Sequence, residues 1–335
     1  MNRRKHLIDS YGREIRDLRI SVTDRCNFRC TYCLPEEGIE WLPRHDLLTF
    51  EEITEISRVF TERFYIESIR LTGGEPTVRA QLPRLVGMLS GLRNHEGNKI
   101  NLSLTTNGVT LPLIAEPLRE AGLDRINISL DTLRADRFLQ ITRRPQFERV
   151  LEGIGAAQAV GFAPIKLNVV AMQGVNDDEI VDFARFGREH DLQVRFIEFM
   201  PLDGSNAWER SDVLSAAEIL TQIDRVFPVE EPQRGTAPAT TYRYRDGQGS
   251  FGIIPTVTQP FCGDCDRVRL SADGKIRTCL FALDEHDLRT MLRTGASTQE
   301  LATQIEAIIA TKWAGHSIGR VNFIRPPKSM SQIGG

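Results

Sequence analysis

Three cysteines fall within eight residues, in the run Cys26-Asn27-Phe28-Arg29-Cys30-Thr31-Tyr32-Cys33. Thiolates at such close spacing hold iron–sulfur clusters, but a four-iron cubane needs four ligands, and three thiols leave one iron open. An open position is where a small molecule can coordinate a catalytic metal. A structural zinc ion is the competing occupant. It would need a fourth ligand close by, and the nearest histidine, His45, stands twelve residues past Cys33. The other three cysteines form a second set, Cys262-Gly263-Asp264-Cys265 and then Cys279. Two sets of three make two clusters, each with an open iron. At the second set zinc competes on even terms, since Cys-x2-Cys with a distant thiol also suits a zinc ribbon, and His286 or Asp264 could complete the tetrahedron. What favours a catalytic site is Asp266-Arg267-Val268-Arg269-Leu270, which as a strand puts Arg267 and Arg269 on one face.

The elements that must position these residues follow a simple pattern. Short β-rich runs over 18–22, 68–72, 101–106, 125–131, 165–172 and 193–199 alternate with helical patterns over 49–62, 83–93, 111–121, 147–160 and 177–190. In the first helix Ile53, Ile56 and Phe60 share a face, and Thr49 with Glu52 makes a capping box. Repeated βα units imply a parallel sheet with right-handed crossovers. Unusual residues recur at successive strand ends: Cys26 to Cys33, Gly73-Gly74-Glu75, Thr105-Thr106-Asn107-Gly108 and Ser129-Leu130-Asp131. That distribution favours an incomplete (β/α)6 barrel, whose sites form at the C-terminal ends of strands. We expect this α/β barrel over 13–227 and an α+β region carrying the second cysteine set over 228–335. A helix is predicted over 215–226, before this boundary, and beyond it a loop over 228–238, a strand over 240–251, a hairpin over 267–280 turning at Asp273-Gly274, and helices over 285–292 and 298–311.

Composition narrows the function classes. The 45 acidic and 42 basic side chains leave a formal charge of -3, which argues against broad binding of nucleic acid or an anionic membrane. No apolar run approaches the roughly 18 residues of a membrane span, and residues 1–12 lack the apolar stretch of a secretory signal. A cytoplasmic location is expected. Six cysteines in 335 residues are too few for a disulfide scaffold.

Cys-x3-Cys-x2-Cys with an aromatic residue before the last cysteine resembles the signature of the radical S-adenosylmethionine enzymes. In that family the open iron is chelated by the amino and carboxylate groups of S-adenosylmethionine, which an electron from the cluster cleaves to a 5′-deoxyadenosyl radical. Gly73-Gly74-Glu75-Pro76, ending the second predicted strand, matches the motif that meets the methionyl amino group. Nearly the whole chain is similar to the GTP 3′,8-cyclases of molybdenum cofactor biosynthesis. The likeness is carried by Asp17-Leu18-Arg19-Ile20-Ser21-Val22-Thr23-Asp24-Arg25-Cys26, by Ile69-Arg70-Leu71-Thr72, by Phe261-Cys262-Gly263-Asp264-Cys265-Asp266-Arg267-Val268-Arg269 and by the terminal Gly334-Gly335. Leu34, where the family often has methionine, lies outside the ligands.

This resemblance implies two 4Fe-4S clusters, one on Cys26, Cys30 and Cys33 and one on Cys262, Cys265 and Cys279. Both serve a reaction that removes hydrogen from the ribose C3′ of GTP and joins C3′ to C8 of guanine. It implies S-adenosylmethionine contacts from Tyr32, Gly74, Ser129 and Met200, the last of which would equally suit core packing. GTP contacts are implied from Arg19, Arg70, Thr105, Lys166, Arg267, Val268 and Arg269. We add Arg195, on the sixth predicted strand. Arginine suits phosphate through its planar, bidentate fork, and a set of cations inside β-rich runs needs a partner. An external electron donor, a downstream cyclic pyranopterin monophosphate synthase, and a monomeric or homodimeric state are further expectations, as is a Gly334-Gly335 tail threading into the barrel mouth. The competing readings are a radical S-adenosylmethionine peptide maturase with an auxiliary cluster and an iron–sulfur or zinc redox sensor.

Overall fold

In the computed structural model, residues 6–94, 96–202, 208–232, 235, 237–318 and 323–334 are described. Polar–apolar alternation in the strands decides the architecture. The chain runs β1 (Asp17–Ser21), α1 (Phe50–Arg63), β2 (Ser68–Thr72), α2 (Leu82–Ser90), β3 (Asn101–Thr106), α3 (Leu111–Glu120), β4 (Arg125–Ser129), α4 (Ala135–Thr142), α5 (Phe147–Ala159), β5 (Ile165–Ala171), α6 (Ile180–Glu189) and β6 (Leu192–Glu198). Each of β1 to β5 pairs in parallel with the next. In β5, Ile165, Leu167, Val169 and Ala171 are buried in the core while Lys166, Asn168 and Val170 point the other way. The apolar face packs against helices such as α1, where Ile53, Ile56 and Phe60 are fully buried and the Thr49–Glu52 capping box fixes the start.

The rest of the chain is α7 (Ala216–Asp224), β7 (Thr240–Arg243), β8 (Ser250–Ile254), β9 (Arg267–Leu270), β10 (Lys275–Arg277), β11 (His286–Asp287), α8 (Arg289–Arg293), α9 (Thr298–Ala310) and α10 (Met330–Ile333). These strands extend both edges of the same sheet, in the order β11-β10-β9-β1-β2-β3-β4-β5-β6-β8-β7. β9 joins β1 in parallel and β8 joins β6 in parallel. A division at 227/228 is therefore a division of the sequence and not of the sheet. One cavity is lined from β9 and β1 at one end of this order and from β6 and β8 at the other, so the sheet curls into an open barrel around it.

Four expectations need correction. The single strand over 240–251 is a hairpin, β7 and β8, because Gly247 and Gly249 turn the chain at φ +76° and +90°. The helix expected over 285–292 starts later, since His286 and Asp287 first pair with β10. The segment from Asp177 begins as a 3-10 turn before α6. α4, which buries Phe138 and Ile141, was not foreseen. Among the described residues no helix is long and apolar enough to cross a membrane.

Candidate active site

A cavity of about 370 Å³ opens at the C-terminal ends of the barrel strands, and all six cysteines line it as free thiols. The first set is fixed by its neighbours on β2. The backbone N–H of Gly74 donates to the Thr23 carbonyl at 2.8 Å, and that of Glu75 to the Arg25 carbonyl at 2.8 Å. A Cβ on Gly74 would stand 2.4 Å from the carbonyl oxygens of Asp24 and Arg25, which is why the strand must end in glycine there. Two carboxyl groups sit around this loop. Glu75 is fully buried and accepts from the Thr106 hydroxyl at 2.7 Å and from the N–H groups of Asn107 and Thr77 at 2.6 and 3.0 Å. Asp131 accepts from the Tyr32 hydroxyl at 2.6 Å and from the Val170 N–H at 2.8 Å, yet burial still pushes it up to about 6. Burial, and then the Glu75 charge, pushes the Cys26 thiol up to about 11, and burial pushes Cys33 to about 12.

The second set is framed by cations. Arg13, ion-paired to Asp9 at 2.6 Å, donates to the carbonyls of Cys262 at 2.7 Å, Ala314 at 2.8 Å and Trp313. Lys312 donates to the Arg267 carbonyl at 2.9 Å and to that of Thr278. Arg277 pairs with Glu285 at 2.7 Å and reaches the Ala282 carbonyl. Three distant segments thus converge on Cys262, Cys265 and Cys279. Burial would raise Cys265, but Arg267 and Lys312 outweigh it and bring the thiol down to about 7.

Between the sets runs a row of guanidinium groups. Register places Arg269 beside Arg19, Arg19 beside Arg70, Arg70 beside Ser103 and Ser103 beside Arg125. Arg19, Arg70, Arg195 and Arg267 each bury an Nε with no hydrogen-bond partner. Asp17 lies 3.7 Å from Arg19 and Asp266 3.6 Å from Arg267. Buried charge only partly offset in this way is costly unless an anion completes it.

Tyr32, Gly74, Ser129, Met200, Arg19, Arg70, Thr105, Arg195, Arg267 and Arg269 all line the cavity. Two predicted contacts do not. Lys166 is turned inward with Asn168 and Val170, in register with Asn127 and Gln193, but is not among the residues that line the cavity. Val268 is fully buried in the hydrophobic core, so its side chain cannot meet a ligand and only its main chain remains available. The tail enters the site: Met330 and Ser331 line the cavity, and Arg269 donates to the Gly334 carbonyl. Gly335 lies outside the described residues.

Two family models divide the chain. The Radical SAM superfamily matches residues 20–187, and Molybdenum Cofactor Synthesis C matches 192–318. The GTP 3′,8-cyclase of Streptomyces coelicolor is 46% identical over 332 residues, covering 98% of this chain and 96% of the relative. The chain belongs to the GTP 3′,8-cyclase family of radical S-adenosylmethionine enzymes. The Corynebacterium glutamicum GTP 3′,8-cyclase is 46% identical over 337 residues, covering 98% and 89%. Among solved structures, Streptococcus suis SuiB bound to S-adenosylmethionine superposes with a TM-score of 0.57 at 16% identity, over 87% of this chain and 68% of that one, which shows the shared fold.

GTP 3′,8-cyclases use S-adenosylmethionine and two 4Fe-4S clusters, and the residues present fit both demands. Six thiols free of disulfides, three from each cysteine set, line the cavity, and the guanidinium nitrogens between them that lack a hydrogen-bond partner ask for an anion. The sequence pattern marked Asp131 only as part of a strand end and gave no role to Asn127, Arg13, Arg125 or Lys312. The strand alternation that carries Ser129 would have found Asn127 and Arg125, whereas Arg13 and Lys312 gave no local signal, because contacts across some 250 and 45 residues place them.

Proposed function

We infer that this chain converts GTP to (8S)-3′,8-cyclo-7,8-dihydroguanosine 5′-triphosphate, the first step of molybdenum cofactor biosynthesis. The observation that carries the reading is the joining, in one cavity, of two three-thiol sets by a row of guanidinium groups whose buried Nε atoms have no hydrogen-bond partner. When bound, the first cluster and S-adenosylmethionine supply hydrogen abstraction from the ribose.

The chain's own residues do the binding and orienting. Cys26, Cys30 and Cys33 hold the first cluster, with Tyr32, Gly74, Ser129 and Met200 around the S-adenosylmethionine. Cys262, Cys265 and Cys279 hold the second. Arg19, Arg70, Thr105, Lys166, Arg195, Arg267, Arg269 and the Val268 main chain bind GTP, with the phosphates on the guanidinium row and the base towards the second set. Glu75 and Asp131 suit the cationic methionyl end of S-adenosylmethionine, since opposite charges favour each other in a low-dielectric pocket. Thr256, Phe281 and the tail at Met330 and Ser331 close around the space between and exclude water, which keeps the reacting atoms aligned. An external electron donor and a downstream cyclic pyranopterin monophosphate synthase are the partners this activity requires. Anaerobic incubation with GTP, S-adenosylmethionine and a strong reductant tests the reading. The expected result is the cyclised nucleotide together with 5′-deoxyadenosine; 5′-deoxyadenosine with unaltered GTP would refute it.

A further inference from the structure

Arg125, the first residue of β4, has no part in the assignments above. Asn127 and Ser129, two and four residues on, line the cavity, so strand alternation turns Arg125 to the same interior face. Its register position makes it the end of the row Arg269, Arg19, Arg70, Ser103, Arg125, at the far side from the second cysteine set. Among the described residues its one hydrogen-bond partner is the Asn101 side-chain oxygen, and its Nε is buried with none. Arg70, Lys166 and Arg195 all feel its charge. Each is pushed below its ordinary range, by burial first and then by neighbouring cations that include Arg125. Four basic side chains therefore face one another at the end of the row, with the Asp17 charge offsetting part of the repulsion at Arg70. Holding like charges together inside the barrel is costly, and a multiply charged anion that completes the group removes that cost.

With a base at the second set and its phosphates laid along the row, the last phosphate falls where Arg125 and Lys166 converge. We propose that Arg125 binds the terminal phosphate of the substrate and, with Lys166, sets the preference for a nucleoside triphosphate over the di- and monophosphate. The proposal rests on the reading that this cavity takes GTP.

The test is anaerobic equilibrium binding of GTP, GDP and GMP to the reconstituted enzyme, with S-adenosylmethionine binding as a check on the fold. The wild type binds GTP more tightly than GDP. In Arg125→Gln, GTP affinity falls about tenfold to a hundredfold, while GDP and GMP affinities change by less than about threefold. Arg125→Lys keeps a charge but not the fork, and loses part of the same preference without the risk of misfolding. Retention of the wild-type GTP-to-GDP preference in both variants, or an equal loss for all three nucleotides in Arg125→Lys, overturns the proposal. Failure of the wild type to bind any guanine nucleotide would instead overturn the functional reading beneath it.

Discussion

The two cysteine sets face each other across one cavity and are built in opposite electrostatic senses. Around Cys26, Cys30 and Cys33 the buried ionisable neighbours are carboxyls, Glu75 and Asp131, and burial holds Cys26 and Cys33 well up. Around Cys262, Cys265 and Cys279 cations predominate: burial raises Cys262, but Arg267 and Lys312 bring Cys265 down to about 7, and Arg13 and Arg277 stand close by with Asp9 and Glu285 as their partners. The first set is local, three thiols on one loop tied down by the end of the adjoining strand. The second is assembled from the N-terminal segment, the β9–β10 hairpin and the stretch after α9. The difference teaches that equal thiol counts do not mean equal tasks. A carboxyl-lined site suits a ligand with a positive end, and a cation-framed site opening onto an arginine row suits a polyanion.

The comparison breaks most visibly at the first set. Cys30→Ser leaves two thiolates for the first cluster, so 5′-deoxyadenosine formation is expected to vanish; formation at the wild-type rate would show that the two sets have been assigned the wrong way round. Arg70→Met is expected to lower GTP affinity by about 1.5–3 kcal/mol, roughly tenfold to a hundredfold, with S-adenosylmethionine affinity unchanged. Because Arg70 buries an unpartnered nitrogen, the nucleotide-free variant should melt no lower than the wild type. Equal weakening for both ligands and a lower melting temperature would make Arg70 part of the frame instead.

Lys166 gives a smaller, pH-dependent effect. Burial, then Arg195, Arg125 and Arg70, bring it down to about 7 from an ordinary 10.5. Between those values the unfolded chain holds a proton that the empty folded site does not, so nucleotide-free stability rises with pH across that window. Bound phosphate favours the charged form, so binding takes up a proton and GTP affinity falls as pH rises, by up to about tenfold per unit for one proton. Calorimetric titration in buffers of different ionisation enthalpy, between about pH 7.5 and about 9 and so above the second ionisation of a phosphate near 6, reads this directly. Proton uptake that Lys166→Met removes is the expected result, and proton release would contradict it.

Much of the fold was legible because β1 to β6 each carry their own alternation, and the spans 68–72 and 101–106 match the strands residue for residue. The joining of β9 to β1 and of β8 to β6 was not legible, since no local pattern encodes a pairing between segments so far apart in sequence. The two turns of α4 were hidden by their brevity, because a helix of eight residues carries little periodicity. In the site, the cysteines, Gly74 and the strand arginines could be read because type and spacing carry their chemistry. Val268 differs from its neighbours: it sits between two cavity arginines, and alternation sends its side chain into the core, which leaves only its main chain to face a ligand. Arg13 reaches Cys262 only through the tertiary fold.

The central claim, that the second set positions substrate while the first starts the reaction, is tested most directly by Cys279→Ser. Cyclised nucleotide and 5′-deoxyadenosine are measured in one anaerobic assay. Most of the core lies on β1 to β6 and their helices, although it continues into β8, β9 and α9, and Cys279 is outside it, so the first site should survive and 5′-deoxyadenosine should still form. Without its positioning partner the ribose and base lose alignment, and misplacement by about 1 Å can cost about a hundredfold in rate. The account predicts that the ratio of cyclised nucleotide to 5′-deoxyadenosine falls steeply in this variant; an unchanged ratio would contradict it.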